Sequence, residues 1–270
     1  MSGEVLRLAA FTDTPEGGNP AGVVLDARGW DDARMQATAT EVGFSETAFV
    51  VGGAGAALDV RYFSPVAEVP FCGHATIATG VALGDGDWRL TTAAGEVTVA
   101  VADGEATLTS VEPRVEDLAA DDLGELLAAL GWAAAELDPA LPPRVAYAGA
   151  FHPVICARDR PRLGHLDYDF DRLRTLMQAR DWTTIALVHR RAPVTFDARN
   201  PFPVGGVIED PATGAAAAAF GAYLRALDLV TPPVDITIHQ GDDLGRPSVL
   251  RVGIGAIGGI RVSGRAVAMS

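Results

Sequence analysis

RYFSPVAEVPFCGHATIATGVAL, residues 61–83, returns as RNPFPVGGVIEDPATGAAAAAFGAYL, residues 199–224, with three residues inserted. Extended backward, Phe44 to Pro65 match Trp182 to Pro203 at one constant offset, and Val66 to Leu83 match Val207 to Leu224 after the insertion. Asp59/Asp197, Arg61/Arg199, Pro65/Pro203, Glu68/Glu209 and Pro70/Pro211 carry the register. Alanine and glycine pairs, such as Gly73/Gly214, are discounted, because both residues are abundant here. A repeat at about half the chain length implies two halves built on one plan. The copies differ in their polar residues. Glu46, Cys72 and His74 stand where the second copy has Thr184, Thr213 and Ala215, and Asp210 stands where the first has Val69. Chemistry is to be sought among the residues that the copies do not share.

Around the repeat, short apolar or alternating runs bounded by Gly, Pro or Asp recur along the chain, among them VLRLAAF, AGVVLD, LDVRYF, EVTVAV, PVICA, VTFDAR, DITIHQ and SVLRVG. They read as strands. Helices are expected at Asp31–Val42, Gly73–Leu83, Leu118–Leu130, Phe170–Arg180 and Gly214–Leu227, the second and fifth being the repeat pair. Those two are apolar nearly all round and belong inside a sheet that curls about them. The expected fold is α+β, with two pseudo-symmetric domains, each a curved, mostly antiparallel sheet or barrel wrapped around a central helix. The first domain is expected over residues 1–114 plus 258–270 and the second over 115–257, the last strand returning to the first domain by pseudo-symmetry.

With 270 residues, 49% hydrophobic and 21% charged, the chain can bury two cores of globular type. Its net charge of -14 argues against nucleic acid or an anionic membrane as partner, since both are held by Lys and Arg. No secretory pattern opens the sequence and no apolar run is long enough to span a bilayer, so a soluble cytoplasmic protein is expected. Cys72 and Cys156 lack the clustering of a metal site, and neither a metal nor a structural disulfide is expected.

Both repeat helices open with Glu-x-Pro-x-x-Gly-x-Ala, at 68–75 and 209–216. Pro fixes the approach to the helix, and Gly lets a ligand come close to unpaired first-turn N–H groups. A helix N-terminus attracts anions, so Gly73 and Gly214 are expected to hold a carboxylate if the halves face each other across a cleft. Close helix–sheet packing would account equally for each glycine taken singly. Glu46 lies in GFSETAFV beside Phe44, Ala48 and Phe49. Apolar surroundings disfavour a charged carboxylate, which suits a group that takes and returns protons near neutral pH; the plain alternative is a surface or capping Glu. His74, two residues after Cys72, reads as a proton shuttle or hydrogen-bond partner, with a buried structural His as the alternative. A Cys/His nucleophile pair is disfavoured, because i and i+2 at a helix start point apart. Asp210 either caps its helix or orients His74 or the substrate. Arg246 either reaches substrate or punctuates two strands.

With these residues in place, the chain resembles the PhzF-like isomerases of phenazine biosynthesis over nearly its full length. The signposts are GGNPAGVVL at 17–25, GFSETAFV at 43–50, RYFSPVAEVPFCGHATIA at 61–78, EDPATGAAAAAFGAYL at 209–224 and QGDDLGRPS at 240–248. The resemblance implies a diaminopimelate epimerase-like fold, a homodimer, and catalysis without metal or organic cofactor. It implies Glu46 as the proton shuttle, with His74 and Asp210 in support. It also implies a substrate-binding set of Asn19, Ser45, Cys72, Gly73, Thr213, Gly214 and Ala215. The family more often has Ser where this chain has Ala215, a departure that removes a hydroxyl and bears on the substrate more than on proton transfer. The implied activity is cofactor-independent proton transfer on a small carboxylic acid bound between the domains. The alternatives are an epimerase or racemase, or a catalytically silent small-acid binder. Racemases of similar fold use one thiol from each half, and here Thr213 stands opposite Cys72, which disfavours that chemistry.

Overall fold

The computed structural model describes residues 3–269 of the chain, which divides into two compact units. The first unit comprises Met1–Thr109 with Gly245–Val249 and Ser263–Ser270. Its elements are β1 (Leu6–Ala10), β2 (Asn19–Val24), α1 (Asp32–Val42), β3 (Glu46–Ala54), β4 (Ala57–Phe63), β5 (Glu68–Val69), α2 (Gly73–Leu83), β6 (Gly86–Thr92), β7 (Gly95–Ala102) and β8 (Glu105–Thr109). The second unit comprises Ser110–Leu244 and Leu250–Val262. It holds β9 (Arg114–Asp117), α3 (Ala120–Leu130), β10 (Arg144–Tyr147), β11 (Phe151–Cys156), α4 (Arg160–Gly164), α5 (Phe170–Arg180), β12 (Ala186–Ala192), β13 (Thr195–Pro201), β14 (Glu209–Asp210), α6 (Gly214–Ala226) and β15 (Val234–Gln240). Two last strands, β16 (Ser248–Ile254) and β17 (Arg261–Ala268), give residues to both units.

In the first unit the pairings run β17, β1, β2, β3, β4, β6, β7, β8 and back to β17, a closed eight-stranded barrel. Closure leaves no strand edge unpaired. Inside lies α2, buried from His74 to Gly80. Its hydroxyls are satisfied locally: Thr76 Oγ1 donates to the Cys72 carbonyl at 2.6 Å, and Thr79 Oγ1 to Ala75 at 2.7 Å. Gly80 is where the helix meets the wall, since a Cβ there would lie 2.7 Å from Val99 Cγ1. Outside the barrel, α1 sets Met35 and Ala39 against Phe49 and Phe63 in a separate small core.

The second unit repeats the connections. In the first, β1 and β2 are antiparallel, β2 and β3 parallel, β3 and β4 antiparallel, and β4 and β6 parallel. In the second, β10, β11, β12, β13 and β15 follow the same sequence of senses, with α6 as the buried helix. The β4 and β13 boundaries differ by the offset that aligned the sequences, and so do the ends of the strands before them, Ala54 of β3 and Ala192 of β12. Gly221 of α6 does what Gly80 does in α2, its Cβ position lying 2.9 Å from Val252 Cγ1 and Ile260 Cγ2. The five expected helices form within two residues of their expected bounds; α4, one turn and a half long, was not anticipated. Among the described residues no helix is long and apolar enough to cross a membrane.

Where the first unit has Glu46, the second buries a polar cluster. Thr184 Oγ1 donates to Asn200 Oδ1 at 3.0 Å, so His152 Nδ1–H donates to that hydroxyl at 2.9 Å and Nε2 is left buried without a partner. Burial lowers the His152 imidazole to about 4, against the smaller opposing pull of the Thr184 carbonyl. The folded protein thus keeps it neutral where the unfolded chain, titrating near 6.5, would protonate it. Stability present above pH ~6.5 is lost as the pH falls toward ~4, by about 3 kcal/mol in all. Urea unfolding at pH 7.5 and 4.5 checks this: His152→Gln, which cannot charge, should flatten that part of the pH profile.

Candidate functional site

The register of β2 on β3 sets Ala21 beside Glu46, so Asn19 and Glu46 emerge together near one end of the first barrel. The turn before Asn19 is held by Arg246, whose Nε donates to the Gly18 carbonyl at 2.7 Å and whose Nη2 donates to that of Gly17. Burial lowers the Arg246 guanidinium from its usual value. Gly18 N donates back to Pro247 O at 3.0 Å. Gly18 has φ +66, a left-handed conformation that suits glycine. Arg246 therefore holds the turn that carries Asn19, a role that neither reading of its sequence context offered.

His74, 7% exposed, receives Asn19 Nδ2–H on Nδ1 at 3.2 Å. Its proton consequently sits on Nε2, which lies 3.3 Å from Ser45 Oγ and 3.4 Å from Glu46 Oε2. The Cys72 thiol donates to the same Glu46 oxygen at 3.5 Å. The polar residues expected from the first copy are thus assembled, and the atoms nearest Glu46's carboxylate are polar. Its apolar sequence neighbours go elsewhere: Phe49 packs beneath α1 and Ala48 lies buried in the strand.

Cys72 and His74 also converge, contrary to the expectation that they point apart. Cys72 is the N-cap, with extended φ -143 and ψ 117, so helical spacing does not govern the pair. Sγ lies 3.4 Å from Nδ1 and 3.7 Å from Nε2. A sulfur on either ring lone pair would be much nearer one nitrogen, so this thiol is not aligned for transfer of its proton to the imidazole. The same geometry bears on metal binding. Glu46, Cys72 and His74 offer ligand atoms within 4.8 Å of one another, yet sulfur and the imidazole lone pairs do not aim at one point, as a tetrahedral ion requires.

The start of α2 completes the arrangement. Cys72 makes no side-chain cap, which leaves first-turn N–H groups without a bond from that residue. Tyr62 OH donates to Thr76 Oγ1 at 2.7 Å and, through it, steadies the Cys72 carbonyl. Gly73 differs from Gly80: a Cβ there would meet nothing within 4 Å. Neither packing nor a left-handed φ requires glycine at 73. Gly73→Ala is expected to keep or slightly raise the melting temperature, since Ala is the better helix former. The same methyl should weaken carboxylate binding about tenfold or more, read as KM or ligand Kd.

In the second unit Thr213 Oγ1 donates to Asp210 Oδ2 at 2.5 Å. Gln240, 2% exposed, ties this turn together: Nε2 donates to Asp210 O at 2.8 Å and to Thr213 Oγ1 at 3.1 Å, while Oε1 accepts from Thr213 N at 3.1 Å. Thr213 supplies no side-chain cap to α6, and Ala215 contributes backbone alone at the repeat position of His74. Gln240, Tyr62 and Thr76 went unnoticed in the sequence. Gln240 had one signal, its place at the head of QGDDLGRPS; the other two fill ordinary strand and helix positions.

Known proteins share this sequence and fold. The chain is 35% identical over 264 residues to an uncharacterized isomerase of Deinococcus radiodurans, covering 91% of this chain and 85% of that protein. The crystal structure of a PhzF-family phenazine biosynthesis protein from Bacillus anthracis superposes with a TM-score of 0.87 at 26% identity, over 98% of this chain and 96% of the other. A hydroxyproline epimerase from Agrobacterium vitis, solved with trans-4-hydroxy-L-proline, shares the fold at a TM-score of 0.64 and 15% identity, over 98% and 90%. This places the chain in the diaminopimelate epimerase-like fold. The profile of the phenazine biosynthesis-like (PhzC-PhzF) proteins matches residues 8–270, and the chain belongs to that family of isomerases.

Proposed function

We propose that the protein moves a proton within a small carboxylic acid, with Glu46 as the group that removes and returns it. The observation that carries this reading is the meeting of Glu46, Cys72 and His74 beside the uncapped, sterically open start of α2 at Gly73. The substrate carboxylate takes the first-turn N–H groups. Glu46 abstracts a proton from carbon, and the electron pair left behind spreads onto the carboxylate, where fixed donors receive the developing charge. The glutamic acid then returns its proton to a different carbon, so the double bond shifts and no atom is gained or lost. His74 Nε2–H and the Cys72 thiol hold the Glu46 carboxylate in place before it takes the proton, and Ser45 holds His74. In the second unit, Asp210, Thr213 and the start of α6 at Gly214 form a cradle of the same build, with Ala215 offering only its N–H.

Two-thiol epimerisation is disfavoured, because Thr213, the repeat counterpart of Cys72, carries a hydroxyl already given to Asp210. A silent binder and an isomerase separate in D₂O. Incubated with a panel of small unsaturated acids, the isomerase gives enzyme-dependent deuterium at carbon; binding without exchange by any acid that binds would overturn the reading.

A further inference from the structure

A groove of about 480 Å³ in the second unit is lined by Glu136, Arg158, Asp159, Arg162 and His165. That volume suits a small molecule. Its acids are already engaged. Glu136 accepts Ala133 N–H at 2.7 Å and Arg162 Nη1 at 3.2 Å, and these bonds hold its carboxyl below the usual range. Asp159 caps α4, accepting Arg162 N–H at 2.8 Å. The side chains of Arg158 and His165 are not engaged. Arg158 is exposed, and neither its guanidinium nor the His165 ring bonds a side chain or backbone group among the described residues.

Beneath the groove the Arg162 guanidinium lies 5.0 Å over the Trp132 ring, and Arg162 Nε and Trp132 Nε1 are both buried donors with no acceptor. Trp132 is only 5% exposed. Buried N–H groups without acceptors are uncommon and point to a missing one. The segments that build the groove have no counterpart in the first unit, where β2 reaches β3 through α1 alone; β11 reaches β12 through α4 and α5. The groove thus lies outside the duplicated plan, and no residue of the Glu46 site lines it.

We propose that this groove binds the oxyanion of a small metabolite, a phosphate or a carboxylate, through Arg158 and His165, with Arg162 forming its floor. Arginine's planar fork suits either anion. The test titrates the full chain by calorimetry with inorganic phosphate and, separately, with acetate at fixed ionic strength, for wild type, Arg158→Ala and Gly73→Ala. Saturable binding that Arg158→Ala weakens about tenfold or more, and that Gly73→Ala leaves intact, supports the site; the probe that binds names the anion class. Arg158→Ala should keep the wild-type melting temperature and proton-exchange rate, because no side-chain bond is lost. If neither probe shows a saturable site that Arg158→Ala weakens, the proposal is overturned. These outcomes are independent of the Glu46 reaction.

Discussion

Glu46→Gln lowers enzyme-dependent deuterium exchange about 10²- to 10⁴-fold, the range that a general acid/base group contributes. The amide keeps the length and shape of the side chain, and its oxygen can still accept from Cys72 and His74, whose atoms lie 3.5 and 3.4 Å away in the wild type. What it loses is the capacity to take a proton from carbon. Binding of the acid at the α2 start should survive, so kcat falls while KM changes little. The melting temperature should stay near wild type, because the carboxylate is partly exposed and its neighbours retain their other partners. An undiminished exchange rate on an acid that the wild type turns over would remove Glu46 from the reaction.

The second large effect comes from one ion pair present twice in different surroundings. Arg61 meets Glu68 at 2.6 Å and Asp32 at 2.7 Å with side chains 30%, 38% and 78% exposed. Arg199 meets Glu209 through three contacts, with side chains 9% and 0% exposed, and its Nη1 also donates to Gly164 O at 2.8 Å. Arg199→Ala strands a buried carboxylate and should cost about 3–5 kcal/mol. At 2–4 °C per kcal/mol, that is roughly 6–20 °C of melting temperature. Arg61→Ala, at a pair that water screens, should cost less than about 1 kcal/mol. The double change Arg199→Met with Glu209→Leu should recover much of the loss, since it leaves no buried charge unpaired. Equal losses for Arg61→Ala and Arg199→Ala would show that burial does not decide the worth of this pair.

The repeated Arg and Glu residues made the duplication legible because they do the same physical work twice, the arginines pairing with the glutamates; Gly80 and Gly221, too common a residue to count in the sequence, also let their helices touch the wall. The site was legible in part. Glu46, His74, Cys72, Asn19 and Ser45 do come together, but the first three stood out only because the second copy lacks them, and the last two only through the resemblance. Sequence spacing misjudged the Cys72–His74 pair because a helical rule was applied to a residue with extended backbone. Arg246 could not be placed from its neighbours, since its partners, Gly17 and Gly18, lie some 230 positions earlier. Charge patterning gave no hint of the groove at Arg158, whose floor residue, Arg162, packs on Trp132 from another segment.

The barrel that carries Glu46 closes only when β17 joins β1 to β8, and β17 is the last strand in chain order. On the ribosome, then, the first unit to be translated is the last able to finish. Most of the second unit, from Ser110 to Leu244, emerges while β1 and β8 still present open edges. A nascent chain stalled or cut before residue 263 would hold those edges exposed, ready to pair with a neighbour. A barrel without a seam thus passes through an interval of open edges during synthesis.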